Sequence, residues 1–351
     1  MLRHEAGQRF TSLIVSVLVA AVAVFLQTTA LAQPDEAIRI GYAISLTGQN
    51  GPLGKSAWLA HQIWESDINA SGGLLGRRVK LVYYDNQSNP ATVPGIYTKL
   101  LEVDKVDLII GPFGTNLVAP AVPIAMQKNK LLVSLMVLSA NSEFKYPKYF
   151  AMIPNGPNPK MAISKGFFDV AMEQNPKPRT VAIVAADAEF ARNASDGARE
   201  NANNAGLRIV YDKTYPPNST DLTPIVRAIQ ATRPEIVMIC SYPADSVGMV
   251  RAVNETEFRP KMIGGAMILQ GTSLKIQLGP LLNGFTIFDY WVPVPKLNFP
   301  GVAEFLQKYQ ARALAEGVDP LGYWAPFAYA QLEIMARTSS SGFSHLVADP
   351  G

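Results

Sequence analysis

From Ile38 onward, short apolar runs alternate with longer stretches whose apolar residues recur at helical spacing. IRIGYAI (38–44), VKLVYYD (79–85), VDLIIG (106–111), LLVSLM (131–136) and YFAMI (149–153) read as strands. Helices are predicted between them over 54–70, 90–104 and 117–128. The punctuated stretch PNGPNP (154–159) interrupts this rhythm, and then it resumes. Helices over 160–174, 189–205, 221–232, 244–254 and 272–278 alternate with strands VAIVAA (181–186), LRIVYDKTY (207–215), IVMIC (236–240), MIGG (262–265) and FTIFDY (285–290). Two helices, 301–316 and 322–336, follow. Strands joined by helix-length connections make right-handed βαβ units, whose sheets are mostly parallel and covered on both faces. Two such blocks predict an α/β fold of two doubly wound parallel-sheet domains.

The stretch VSLMVLSANSEF (133–144) does not fit a plain strand, because the apolar run continues through Met136, Val137 and Leu138 before polar residues appear. In open α/β sheets, ligands bind beyond the carboxyl ends of the strands, where helix N-termini also point. Val133–Leu135 therefore reads as core strand and Met136–Leu138 as the wall of a cleft.

Composition narrows the function. The chain has 351 residues, 48% apolar and 17% charged, with a formal net charge of +3, too weak to imply nucleic acid or an anionic membrane as partner. Its single cysteine, Cys240, lies in the apolar run IVMIC, which excludes an intrachain disulfide and reads as a small buried hydrophobe. At the N-terminus, Arg3 and Arg9 precede LIVSVLVAAVAVF, about thirteen apolar residues, and then Ala30-Leu31-Ala32. That is a secretory signal peptide over 1–32, cleaved after Ala32 and too short for a bilayer span, which needs roughly 20 residues. A periplasmic location follows.

Catalytic constellations are scarce. GQNGPLGKS (48–56) sits between strand and helix as a phosphate-binding loop would, but the position five before Gly54 is Gln49, and Pro52 removes an amide. The histidines are His4, His61 and His345, without metal-ligand or triad spacing, and His61 reads as a surface or packing residue. Asp85, Asp187 and Asp245 lie at strand ends or in loops, where capping is the ordinary role and acid–base chemistry stays open. Loop aromatics, Phe113, Phe144, Phe190, Tyr242, Tyr323 and Trp324, are candidates for ligand contact, with core packing as the default. No metal or cofactor is expected, and no enzymatic activity.

INASGGLLGRRVKLVYYDNQSNP (68–90) resembles the type I periplasmic solute-binding proteins of ABC importers, in the Leu/Ile/Val-binding branch. So do IRIGYAISLTG, VDLIIGPFGTNLVAPAVPIA (106–125) and YAQLE (329–333). The resemblance implies two lobes joined by hinge crossovers and closing on a small ligand: 33–153 with 291–336 as the first lobe, and 154–290 as the second. Membrane permease subunits are the implied partners. It leaves 337–351 as an atypical polar tail, where the family carries a further segment crossing back to the second lobe, so a third hinge strand is unaccounted for.

The departures from the family point to the ligand. The small-small-Thr loop that holds an amino acid's head groups falls on Met136, Val137 and Leu138. The acidic ammonium partner falls on Ala266, followed by Met267. Two cleft tyrosines fall on Phe190 and Leu53, and the family's disulfide cysteines on Ser88 and Gly114. Thr115, where a Ser usually faces the carboxylate, and Tyr242 match. An ammonium closed into a cleft without an acid costs several kcal/mol, and about 3 kcal/mol already exceeds a hundredfold in affinity. A carboxylate can use Thr115 and loop amides, with Phe113, Met136, Val137, Leu138, Phe190, Tyr242 and Trp324 offering apolar or aromatic surface. The expected ligand is a hydrophobic, aromatic carboxylate. The alternatives are an amino acid held through Asp245, and an exported ligand sensor.

Overall fold

The computed structural model describes residues 36–138, 140–152, 156–217, 219–266, 272–287, 291, 292, 294–320, 322 and 325–346. The segment read as a signal peptide, 1–32, lies outside them.

The first sheet is built from β1 (Ile38–Ile44), β2 (Val79–Asp85), β3 (Leu108–Ile110), β4 (Leu132–Ser134) and β5 (Tyr149–Ala151), in the order β2-β1-β3-β4-β5. The second is built from β6 (Thr180–Ala186), β7 (Arg208–Tyr215), β8 (Ile236–Cys240), β9 (Met262–Ala266) and β10 (Phe285–Ile287), in the order β10-β9-β8-β6-β7. All strand pairs are parallel. Both sheets repeat one winding: the second strand lies outside the first, and the third starts the other way. Each therefore has one point of reversal, β1/β3 and β6/β8, where crevices open.

The helices of the first sheet are α1 (Gly51–Ala70), α2 (Val93–Glu102), α3 (Thr115–Val118), α4 (Val122–Gln127) and α5 (Ala140–Phe144). Those of the second are α6 (Pro159–Met172), α7 (Glu189–Asn204), α8 (Thr223–Ala231), α9 (Pro243–Glu255) and α10 (Thr272–Leu278). The chain then returns, and α11 (Val302–Glu316) and α12 (Ala325–Leu346) pack on α1. Burial follows the sheet type: β8 is buried throughout, and so is β6 after its first residue, as central parallel strands covered on both faces must be. Cys240 ends β8 fully buried, and burial pushes its thiol up to about 12.

Several elements differ from the pattern-based reading. The helix predicted over 117–128 is two short ones, because Pro120 between them has no N–H to continue the first. Strand β4 stops at Ser134, and the polar end of the long apolar run coils into α5. The helix predicted over 322–336 runs Ala325–Leu346, ten residues into the segment read as a polar tail. The loop that mimics a phosphate cradle has a packing cause: a Cβ at Gly54 would sit 1.7 Å from the Ser45 carbonyl oxygen, so only glycine lets α1 start against the end of β1.

Candidate functional site

Helix α3, which follows β3 in the first lobe, touches α7, which follows β6 in the second. One continuous hydrophobic cluster crosses this junction and contains Leu53, Phe113, Met136 and Leu138 from one side and Phe190, Tyr242 and Ala266 from the other. All are buried.

On the first side, Leu53 lies in the opening turn of α1, Phe113 follows β3, and Thr115 begins α3. The two loops are cross-braced: the Gly114 N–H donates to the Met136 carbonyl at 2.7 Å, and the Leu138 N–H donates to Thr115 Oγ1 at 3.1 Å. Thr115 is fully buried, its Oγ1 accepting that amide. Met136 and Leu138 join the junction cluster, whereas Val137 belongs to a separate cluster with Leu117, Val118, Tyr146 and Tyr149. Val137, read from sequence as cleft wall beside its neighbours, is thus set apart from them.

On the second side, Phe190 lies in the first turn of α7 and Tyr242 caps α9. Their rings meet edge-on, centroids 6.0 Å apart. Among the described residues, the buried Tyr242 hydroxyl has no hydrogen-bond partner of good geometry, although the amides of Phe190 and Ala191 lie near it. Burial pushes its ionisation well above the ordinary phenol range, so it stays neutral and can donate or accept. Ala266 ends β9, fully buried. Met267 and Trp324 lie outside the described residues, as does Tyr323.

The three acids left open by the sequence separate clearly. Asp85 is a loop latch: Oδ1 accepts from the amides of Leu46, Thr47 and Gln87, and Oδ2 from the Thr47 hydroxyl at 2.6 Å. Burial alone would raise this carboxyl, but the four hydrogen bonds outweigh it and hold it below the usual range. Asp187 is half-exposed and pairs with Arg192 at 2.8 Å. Asp245 is buried in the first turn of α9, with the Tyr215 hydroxyl 3.5 Å from Oδ2. His61 is buried rather than superficial, edge-on to Tyr42 at 4.9 Å, and burial lowers it to about 3. Among the described residues, no three His, Cys, Asp or Glu side chains are grouped to hold a metal.

Gln331 on α12 also reaches this side of the sheet, contacting the ends of β3 and β4. Its signal in the sequence is faint: one carboxamide on a face otherwise made of Ala328, Leu332 and Met335.

Two equivalent lobes with a buried apolar junction at their strand ends describe a clamp, and the comparisons with known proteins agree. The model for the periplasmic binding protein family matches residues 37–340. The chain belongs to that family, in its type I, branched-chain amino acid branch. Among curated relatives of this periplasmic binding protein is Leu/Ile/Val-binding protein homolog 8 of Brucella suis, 24% identical, with 84% of this chain and 74% of the relative covered. The branched-chain amino acid transporter substrate binding protein LivJ of Streptococcus pneumoniae, solved with isoleucine, superposes with a TM-score of 0.73 at 18% identity, covering 87% of this chain and 84% of that one. A solute binding protein of an ABC transporter from R. palustris, solved with benzoate, gives 0.75 at 16% identity, covering 89% and 83%. This periplasmic binding protein is a solute-binding component of an ABC transporter, working with transporter permeases rather than as an enzyme. Among the described residues, no helix is long and apolar enough to cross a membrane.

Proposed function

We propose that the protein is exported by its N-terminal signal peptide to the periplasm, captures a small hydrophobic, aromatic carboxylate between its lobes, and delivers it to permease subunits of an ABC importer. The observation that carries this reading is the composition of the junction. Thr115, fully buried, follows Phe113 in the loop after β3, and the hydrophobic cluster shared by the lobes holds Leu53, Phe113, Met136, Leu138, Phe190 and Tyr242, while the β9 end carries Ala266. A carboxylate gains a charge-assisted hydrogen bond there. An aromatic body gains edge-on partners in Phe190 and Tyr242. Met267 and Trp324 are kept as contacts on sequence grounds. That one structural relative was solved with benzoate supports the ligand class.

Titration calorimetry with benzoate, 4-hydroxybenzoate, leucine and isoleucine tests the reading. Binding of the ring acids with little response to the amino acids is the expected result. Tight binding of leucine with none of benzoate overturns it. A second reading, an α-amino acid ligand, rests on Asp245, a buried carboxylate three residues beyond Tyr242, and on the relatives named for Leu, Ile and Val. That reading predicts the opposite calorimetric pattern, abolished in Asp245→Asn.

A further inference from the structure

Gln331 is a polar side chain with almost no exposure, 1%, on a helix face that otherwise buries Ala328, Leu332 and Met335. Its Nε2 donates to the Val133 carbonyl at 2.7 Å and to the Gly111 carbonyl at 3.3 Å. The Val133 carbonyl already accepts the Gly111 N–H at 2.8 Å, so the carboxamide is not needed to satisfy it. An apolar residue of the same length would spare the cost of burying an amide. The contact is informative for where it falls.

It falls where β3 and β4 end and the two cleft loops begin. Two residues beyond Gly111 comes Phe113, and then Gly114 and Thr115; three beyond Val133 comes Met136, and then Leu138. The strands are pressed together here, since a Cβ at Gly111 would lie 2.2 Å from Ser134 Oγ. Further along, the Gly114-to-Met136 and Leu138-to-Thr115 bonds join the loops. On the other side of the carboxamide, the buried imidazole of His61 on α1 faces Gln331 and the Ala328 carbonyl. Helix α1 carries Leu53 in its first turn. Among the described residues, Gln331 thus bonds the ends of β3 and β4 from a helix that packs on α1.

We infer that Gln331 is a positioning residue for the ligand cleft, stapling the ends of β3 and β4 so that Thr115 and Leu138 stay in register. The inference rests on the reading that these loops line the ligand site, and it adds the device that holds them.

The test compares Gln331→Met, which keeps length and loses both donors, with Gln331→Asn, which keeps the donors and withdraws them. Leu332→Ala, a neighbouring core truncation, controls for ordinary destabilisation. Hydrogen exchange is followed by NMR at the Gly114 and Leu138 amides of the full chain, with Tyr42 and Leu81 as references in β1 and β2. Losing two buried hydrogen bonds should speed exchange at Gly114 and Leu138 by about ten- to a hundredfold and leave the references unchanged. Benzoate affinity should fall by about tenfold in the same variants. In Leu332→Ala, all four amides should move together. Loop exchange that tracks the references in the Gln331 variants overturns the inference, and so does faster loop exchange with unaltered benzoate affinity. A wild-type protein that ignores benzoate overturns the ligand reading instead, and loop exchange alone then decides the role of Gln331.

Discussion

The two lobes share one winding but build their cleft loops differently. The first lobe's loops are tied down by backbone and side-chain hydrogen bonds: the Asp85 latch, the Gly114 and Leu138 bonds, and the Gln331 staple. The second lobe's loops present an aromatic pair, Phe190 and Tyr242, braced by short-range contacts such as the Ser241–Ser246 hydroxyl pair at 2.8 Å. Where a fixed charge must be met, directional bonds hold donors in place, because a misplaced donor in a closed cleft loses most of its value. Where an apolar body must be met, area matters more than direction. Both sides present apolar surface, Leu53, Phe113, Met136 and Leu138 on one and Phe190 and Tyr242 on the other, and the first also carries the hydrogen-bonded Thr115.

The largest expected effect sharpens this contrast from the apolar side. Phe190→Ala empties a buried ring from the junction and should cost about 3–5 kcal/mol of unfolding free energy, measured by urea denaturation. A cost below about 1 kcal/mol would mean that the ring contributes little to the folded form.

Next comes the hydrogen-bonded side. Thr115→Val keeps shape and removes the hydroxyl that accepts from Leu138. Hydrogen bonds to charged groups contribute about 1.5–3 kcal/mol, so benzoate affinity should fall by roughly ten- to a hundredfold. An unchanged dissociation constant would remove Thr115 from the carboxylate's partners.

Acid should separate the lobes as well. His61 is held neutral in the first lobe, lowered from 6.5 to about 3. The unfolded chain therefore binds one more proton than the folded one between those values, and stability is lost as pH falls through that window. By pH 5 this amounts to about 2 kcal/mol, and His61→Phe should flatten the slope of melting temperature against pH. An unaltered slope would place the acid sensitivity elsewhere.

The smallest effect is a control. Asp187→Asn at the second lobe's rim breaks a half-exposed pair with Arg192 and should change stability by less than about 0.5 kcal/mol. A larger loss, seen by the same denaturation, would make that rim a structural part of the lobe.

Alternation of apolar runs and helical spacing determined the two parallel sheets, because covered strands must be apolar throughout and crossovers must be long. The chain's own departures at Met136, Leu138 and Ala266 were legible for the same local reason: a residue type changes what a position can bind. Three things were decided only by the tertiary structure. Val137, where the chain bends after β4, packs with Leu117, Val118, Tyr146 and Tyr149 rather than with Met136 and Leu138. His61 became a buried neutral ring because α12 returns over α1. Gln331 reached β3 and β4 across about 200 residues of chain, 198 to Val133 and 220 to Gly111. Such contacts depend on where separate elements pack, and a local pattern carries no record of that.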